Sequence, residues 1–441
     1  MTEAAGAAGG ATGAQQPADR SIKALVGSLE IDTRMIGMIL ALLVIWVGFN
    51  FASDGKFITA RNLWNLSVQS TSVAVMATGM VLIIVSRNID LSVGSVLGFV
   101  GYSMAMLQAV WIPQMLGLGL NQPFTWVVTI IFGVILGALV GLFQGFLIAY
   151  GRIPAFIVTL GGLLVWRGLL FRYYQGQTIA PLDSTFSLLG GGPQGSLGGP
   201  LSWIVGAIAS VAIVISQVMA RRRRINYGFP VRPMWAEVLV GVASVAVVVG
   251  AVGLIFNAYP WPPALATQYA AQHGITEPSG GLIIQTGIPF PVLILAGVAI
   301  VMTVVGTRRK FGRYVYAIGG NPDAAELGGI NVRRTITGTY VLMGILCAVS
   351  AVISTARLNA AVTGLGTQNE LDVISAAVIG GTSFAGGIGT IPGAVLGAVV
   401  MQSLRSGMAT LSVDSPMQDV IVGCVLVAAV GFDSWARRRS S

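Results

Sequence analysis

Charge is what this sequence has least of. Only 9% of its residues are Asp, Glu, Lys or Arg, against 54% that are hydrophobic, and it holds three lysines (Lys23, Lys56, Lys310), one histidine (His273) and two cysteines (Cys347, Cys424). Each scarcity excludes a class of chemistry. No lysine sits in a Gly-x4-Gly-Lys-Ser/Thr loop, so the chain lacks a phosphate cradle and hydrolyses no ATP by itself. A lone histidine cannot form the paired-histidine helix of a zinc protease. The nearest approach to a nucleophile elbow, Gly381-Thr382-Ser383-Phe384-Ala385, lacks the closing glycine. The cysteines lie inside apolar segments, match no disulfide framework or metal spacing, and read as small buried hydrophobes. No catalytic residue, metal or cofactor is expected.

What the chain has in abundance is apolar sequence and glycine, 59 residues of it. Apolar windows fall near 35–52, 66–86, 92–110, 124–150, 156–172, 201–220, 235–257, 288–306, 335–356, 371–386, 390–410 and 416–435. They predict an all-α polytopic membrane protein, a bundle of about 10–12 transmembrane helices, with a broken or re-entrant helix near 371–393 where glycines interrupt the pattern. One transmembrane domain then covers 35–435, between a disordered cytoplasmic tail with its juxtamembrane segment (1–34) and a basic cytoplasmic tail (436–441). The first 19 residues are rich in Ala, Gly and Gln and have neither the basic start nor the apolar core of a secretory signal.

The formal charge of +9 resides in short clusters between apolar runs, the pattern of membrane orientation rather than of nucleic-acid binding. With the amino terminus inside, all but six of the 25 Lys and Arg become cytoplasmic. The six are Lys56, Arg61, Arg167, Arg172, Arg357 and Arg405. Gly133, Gly137, Gly141 and Gly145 recur every fourth residue and predict a smooth stripe for close helix packing.

The 308–334 loop has the clearest local structure. Asn321 is a good N-cap, Pro322 suits the first helical position, Asp323 and Glu326 favour the positive end, and Gly328-Gly329 stops the turn, with Ala324, Ala325 and Leu327 between. Local physics fits a connector as well as a docking element, since so short a helix must be held by packing. Asp90, in Ile89-Asp90-Leu91-Ser92, reads as a cap of the next helix, a partner for Arg87, or a sugar contact. Glu370 and Asp372 are expected at the external start of the broken segment, either capping it or lining a pathway. Thr382 and Ser383 lie among Gly380, Gly381, Gly386 and Gly387, as in a gate or a tight turn. Trp166 and Arg167 read as interface anchors.

Three stretches resemble the ribose/xylose-type ABC permease family: the segment from Ile89 to Ser95, the loop Gly312-Arg313-Tyr314-Val315-Tyr316 through Ala324-Ala325-Glu326-Leu327-Gly328 to Val332, and Glu370 through Gly387. The resemblance runs from about Phe57 to Asp433, in order. The extra apolar pair 201–257, with Arg221 to Arg224, is similar to the xylose-type members and puts D-xylose ahead of ribose. The resemblance implies a permease of the bacterial cytoplasmic (inner) membrane, surrounded by lipid, that dimerises with a second permease copy. It would accept a monosaccharide from a periplasmic or lipid-anchored sugar-binding protein and be driven by cytoplasmic ATPase subunits. It assigns Asn321 to Gly328 to ATPase coupling, while Asp90, Glu370, Asp372, Thr382 and Ser383 are, from their own chemistry and placement, the candidates to line the substrate pathway. The alternative is an ion-coupled secondary sugar transporter, which needs ionisable groups buried in mid-span.

Overall fold

The computed structural model describes residues 33–275 and 281–438, so most of the expected amino-terminal tail and the last three residues of the carboxy-terminal one lie outside the described residues. Among these the secondary structure is helical, with three isolated β-bridges and no sheet. The helices are α1 (Thr33–Ala52), α2 (Ala60–Val85), α3 (Val93–Leu116), α4 (Thr125–Ala149), α5 (Ala155–Tyr174), α6 (Ser184–Leu188), α7 (Gly199–Asn226), α8 (Met234–Phe256), α9 (Pro263–His273), α10 (Phe290–Thr307), α11 (Lys310–Gly320), α12 (Pro322–Leu327), α13 (Val332–Leu358), α14 (Asn369–Ile379), α15 (Ile391–Thr410) and α16 (Ser415–Arg438). Nine of the described helices are long and apolar enough to cross a bilayer, and α15 and α16 occupy the last two apolar windows. The protein is an all-α multi-pass membrane protein.

α2 occupies the centre because it is apolar all round: nearly every residue from Leu63 to Val85 is buried. Its hydroxyls find partners, Thr71 and Thr78 on their own carbonyls and Ser72 on Ser350 (2.6 Å) and Ser354 (2.9 Å) of α13. α13 packs against α2, α3 and, most extensively, α4. The glycine stripe is the reason: a Cβ on Gly137 would collide with the Gly344 carbonyl, and one on Gly141 with the Tyr340 carbonyl. α7 and α8 pack mainly on each other at the periphery, tied by an Arg221–Glu237 ion pair.

The crossings sort the loops onto two faces. One, the basic face, carries Arg87, Arg152, Arg221 to Arg224 and the 308–334 segment, and Arg87 physically links the first of these to the last. The far face gathers the segments around 117–124, 175–198, 257–289 and 359–361, joined by Ser184 to Asn121 and Ile179 to Ala361. If the basic face is cytoplasmic, Arg223→Cys and Pro322→Cys stay shielded from an impermeant thiol reagent in intact cells, whereas Gln175→Cys and Gln272→Cys react. Labelling of Arg223→Cys would invert the topology.

Three expectations change. Lys310–Gly320 is a helix, not loop, and its glycines mark close approach rather than a break: a Cβ on Gly319 would strike the Val85 carbonyl. Cys424 is exposed on the surface of α16, while Cys347 is buried. The broken crossing has two breaks. Residues 359–368 descend from the far face without helix until Gly366 rests on Gly94 near the start of α3, and α14 completes the crossing. At 1.5 Å per residue α14 spans only about 16 Å, half a bilayer core. Its first turn, with Glu370 and Asp372, therefore starts inside the bundle rather than at the external surface.

Candidate functional site

At the basic face the chain builds a small exposed helix on a rigid joint. Asn321 caps α12 as its sequence predicts, accepting from the Ala324 N–H at 3.0 Å. Ala325 is buried beneath it, while Asp323, Ala324, Glu326 and Gly328 face solvent, Pro322 is half-buried, and Leu327 is 90% exposed. α11, directly preceding α12, is held at its end by Arg87, whose guanidinium donates to the Gly319 and Gly320 carbonyls (both 2.7 Å), a cation at a helix carboxy terminus. Tyr316 donates to the Gly389 carbonyl (2.7 Å) and the Gly387 N–H to the Val85 carbonyl (3.0 Å). These bonds tie α11 and the end of α2 to the 380–390 segment that follows α14.

The opposite end of α14 opens into a polar cavity of about 390 Å³ between α2, α13, α14, α15 and α16. This lies in the roughly 300–1,000 Å³ range of small-molecule sites. Gln69, Ser72, Asn369 and Gln402 supply amides and a hydroxyl, with Arg357 at the end of α13. Its charges form a chain: Arg405 donates to Asp372 through Nε (3.0 Å) and Nη2 (2.9 Å) and to Asp419 through Nη1 (3.3 Å). Both bonds to Asp372 converge on its Oδ1, so Oδ2 accepts no bond among the described residues, while the Gln368 amide, turned to face Asp419, donates to both of that carboxylate's oxygens (3.0 and 2.8 Å). The amino terminus of α14, with Asn369 and Asp372, forms part of the cavity wall.

The structure brings only part of the expected pathway set together. Asp372 is in the cavity wall, and Glu370, half-buried, lies against Gly94 within reach of the Arg167 field. Asp90 is apart from them in the 86–92 turn, buried, where its Oδ1 accepts from the Ser92 N–H (2.9 Å) and Oγ–H (2.6 Å) while Ser92 also meets Gln144. Burial pushes its carboxyl up to about 6. Arg87 is turned away from it, and Asp90 closes a turn onto Ser92, the residue before α3, rather than capping an N–H of the helix itself. Thr382 and Ser383 are buried in the segment beyond the basic end of α14, Ser383 accepting from the Ala385 N–H (3.1 Å) and Thr382 Oγ1 having no partner among the described residues. Arg167 is no interface anchor: it reaches inward to the Thr363 and Leu365 carbonyls (3.3 and 3.0 Å) and props the descending segment. Sequence reasoning missed Arg405 and Asp419. The signal was present, since an arginine inside the apolar window 390–410 requires a buried partner.

Comparison with known proteins agrees in extent with this architecture. Residues 62–430 match the family model described as branched-chain amino acid transport system / permease component. A xylose transport system permease protein of Escherichia coli is 36% identical over 414 residues, 94% of this chain and 95% of that protein. Its counterpart from Haemophilus influenzae is 36% identical over 410 residues, 93% and 98% of the two chains. A ribose import permease protein of Escherichia coli is 29% identical over 379 residues, 86% and 87% of each. No solved structure matches the chain.

Proposed function

This chain belongs to the branched-chain amino acid transport system / permease component family, and from that premise we propose that it carries a pentose, D-xylose ahead of ribose, across a bacterial inner membrane. It is the permease subunit of a sugar ABC importer and not itself an ATPase. The family description names amino acids, but the relatives at 36% identity over 93–94% of the chain are named for xylose, and one at 25% over 94% is named for galactose, all of them sugars. The observation that carries the reading is that match to sugar permeases together with the polar cavity, whose amides, hydroxyl and Arg405-held carboxylate suit a polyol better than an aliphatic side chain.

In this reading the far face is periplasmic and receives sugar from a binding protein, and α12 docks on an ATPase subunit. A second permease copy completes the pathway. Closure of the ATPases moves α12 and α11, the joint at Arg87, Tyr316 and Gly389 passes the displacement to the 380–390 segment, and α14 shifts relative to α15. That changes which side of the Asp372–Arg405 pair is open. Nothing is bonded or broken in the permease; it contributes two conformations of differing affinity for sugar. Ser375 on α14 and Thr382 just beyond its basic end, both buried without hydrogen-bond partners among the described residues, would meet hydroxyls of a passing sugar.

The test is reconstitution with the ATPase and binding protein. D-Xylose should stimulate ATP hydrolysis more than ribose, and leucine not at all; stimulation by leucine alone would overturn the pentose assignment. Leu327→Asp and Glu326→Arg should leave the permease inserted while lowering uptake and sugar-stimulated hydrolysis together by about tenfold or more, the loss of one anchoring contact. Wild-type assembly and uptake in both variants would return α12 to a mere connector.

A further inference from the structure

A second groove, of about 860 Å³, opens on the basic face between α10, α11, α13 and the end of α4. Its floor is apolar, with Val341 and Leu342 of α13 half-buried along it, and both residues belong to a membrane-crossing helix. Its mouth carries Arg309 and Arg334, with Tyr150 and Tyr314 beside them. Both arginines are exposed, and neither guanidinium makes an ion pair among the described residues. Arg309 is the N-cap residue of α11 and Arg334 lies in the first turn of α13, so the two cations bracket the 310–331 arm that carries α12. Two unpaired cations over an apolar slot at the membrane surface match an anionic headgroup joined to a hydrocarbon chain; a free anion would leave the slot empty, and a zwitterionic lipid would leave charge unbalanced.

We propose that this groove holds one anionic phospholipid of the cytoplasmic leaflet, its phosphate between Arg309 and Arg334 and an acyl chain along Val341 and Leu342. The lipid then staples the two ends of the docking arm, so anionic lipid steadies α12 in its presentation position. This rests on the basic face being cytoplasmic, but the binding measurement below needs no transport.

The purified full-length permease is equilibrated in micelles containing equal phosphatidylglycerol and phosphatidylcholine of matched chains, and retained lipid is read by native mass spectrometry. The wild type should retain phosphatidylglycerol in preference. Arg309→Gln with Arg334→Gln, both on the surface and harmless to folding, should lower that retention about tenfold or more, to the phosphatidylcholine level. Leu342→Trp, which fills the slot and leaves the charges, should lower retention of both lipids. Equal retention of the two lipids by the wild type, or unchanged phosphatidylglycerol in the double glutamine variant, overturns the proposal. Displacement of the lipid by millimolar inorganic phosphate would reduce the groove to an ion site. Protection of a groove cysteine that appears only on adding the ATPase, without lipid dependence, would make it a protein interface.

Discussion

Gly141→Leu is expected to abolish the folded permease, leaving no monodisperse protein after detergent extraction. Gly141 has no room for a side chain, because a Cβ there overlaps the Tyr340 carbonyl of α13. The obstruction is backbone, which cannot rotate aside as a side chain can. A leucine must push α4 from α13 along their whole interface, the largest helix contact in the bundle. Overpacking of a core site costs about 1–3 kcal/mol when side chains can yield and more when they cannot. In lipid no hydrophobic drive restores the contact, since the separated faces are solvated by hydrocarbon. The matching control is Gly161→Leu on α5, where a Cβ meets nothing within 4 Å; it should express and melt like the wild type. Equal yields of the two variants would mean that the stripe is incidental.

Arg405→Met is the second large effect, with sugar uptake falling to background and the melting temperature of the complex dropping. The substitution leaves Asp372, a buried carboxylate, without the two charge-assisted hydrogen bonds that hold it, and deprives Asp419 of a third. Removing one partner of a buried pair costs about 3–5 kcal/mol, and the partial exposure of Arg405 puts this case at the lower end. A loss of that size lowers transport whatever the pair does, so the double variant Asp372→Asn with Arg405→Met decides its role. Removing both charges spares the unpaired carboxylate and should recover most of the stability. If the pair handles sugar, uptake stays low in the recovered protein, about tenfold or more below wild type for one lost bond to a charged group. Normal uptake in the stable double variant would make the pair a brace between α14 and α15 and remove it from the pathway.

The difference between these residues explains what was legible. The glycine stripe was visible because it is local: four glycines one helical turn apart permit close approach wherever the partner is. The α12 helix was visible for the same reason, since Asn321, Pro322, Asp323 and Gly328 each act on neighbours within a turn, and the cap forms as expected. The identity of α11 was not, because Gly319 is required by a close approach to the Val85 carbonyl, a contact made far along the chain. Glu370 and Asp372 were singled out correctly as acids beside a break, but their depth depended on the descent of 359–368 along α3, a path set by Arg167 and Gly94.

The sequence by itself determined that this chain lives in a bilayer, where its helices run, which loops share a face and which short turn stands exposed. Those properties follow from hydropathy, charge clusters and caps, all of which act over a few residues. Only the tertiary structure decided which side of each span is core and which is lipid-facing. A bilayer-facing surface and a packed one are equally apolar, so helical periodicity carries no label for either: α2 is buried almost throughout, whereas α4 buries chiefly its glycine face. It also decided that Arg405 meets Asp372 and Asp419, and hence where the polar cavity is. Such a pair is assembled across helices by the need to satisfy a charge in a medium without water, and the sequence states the need without naming the partner.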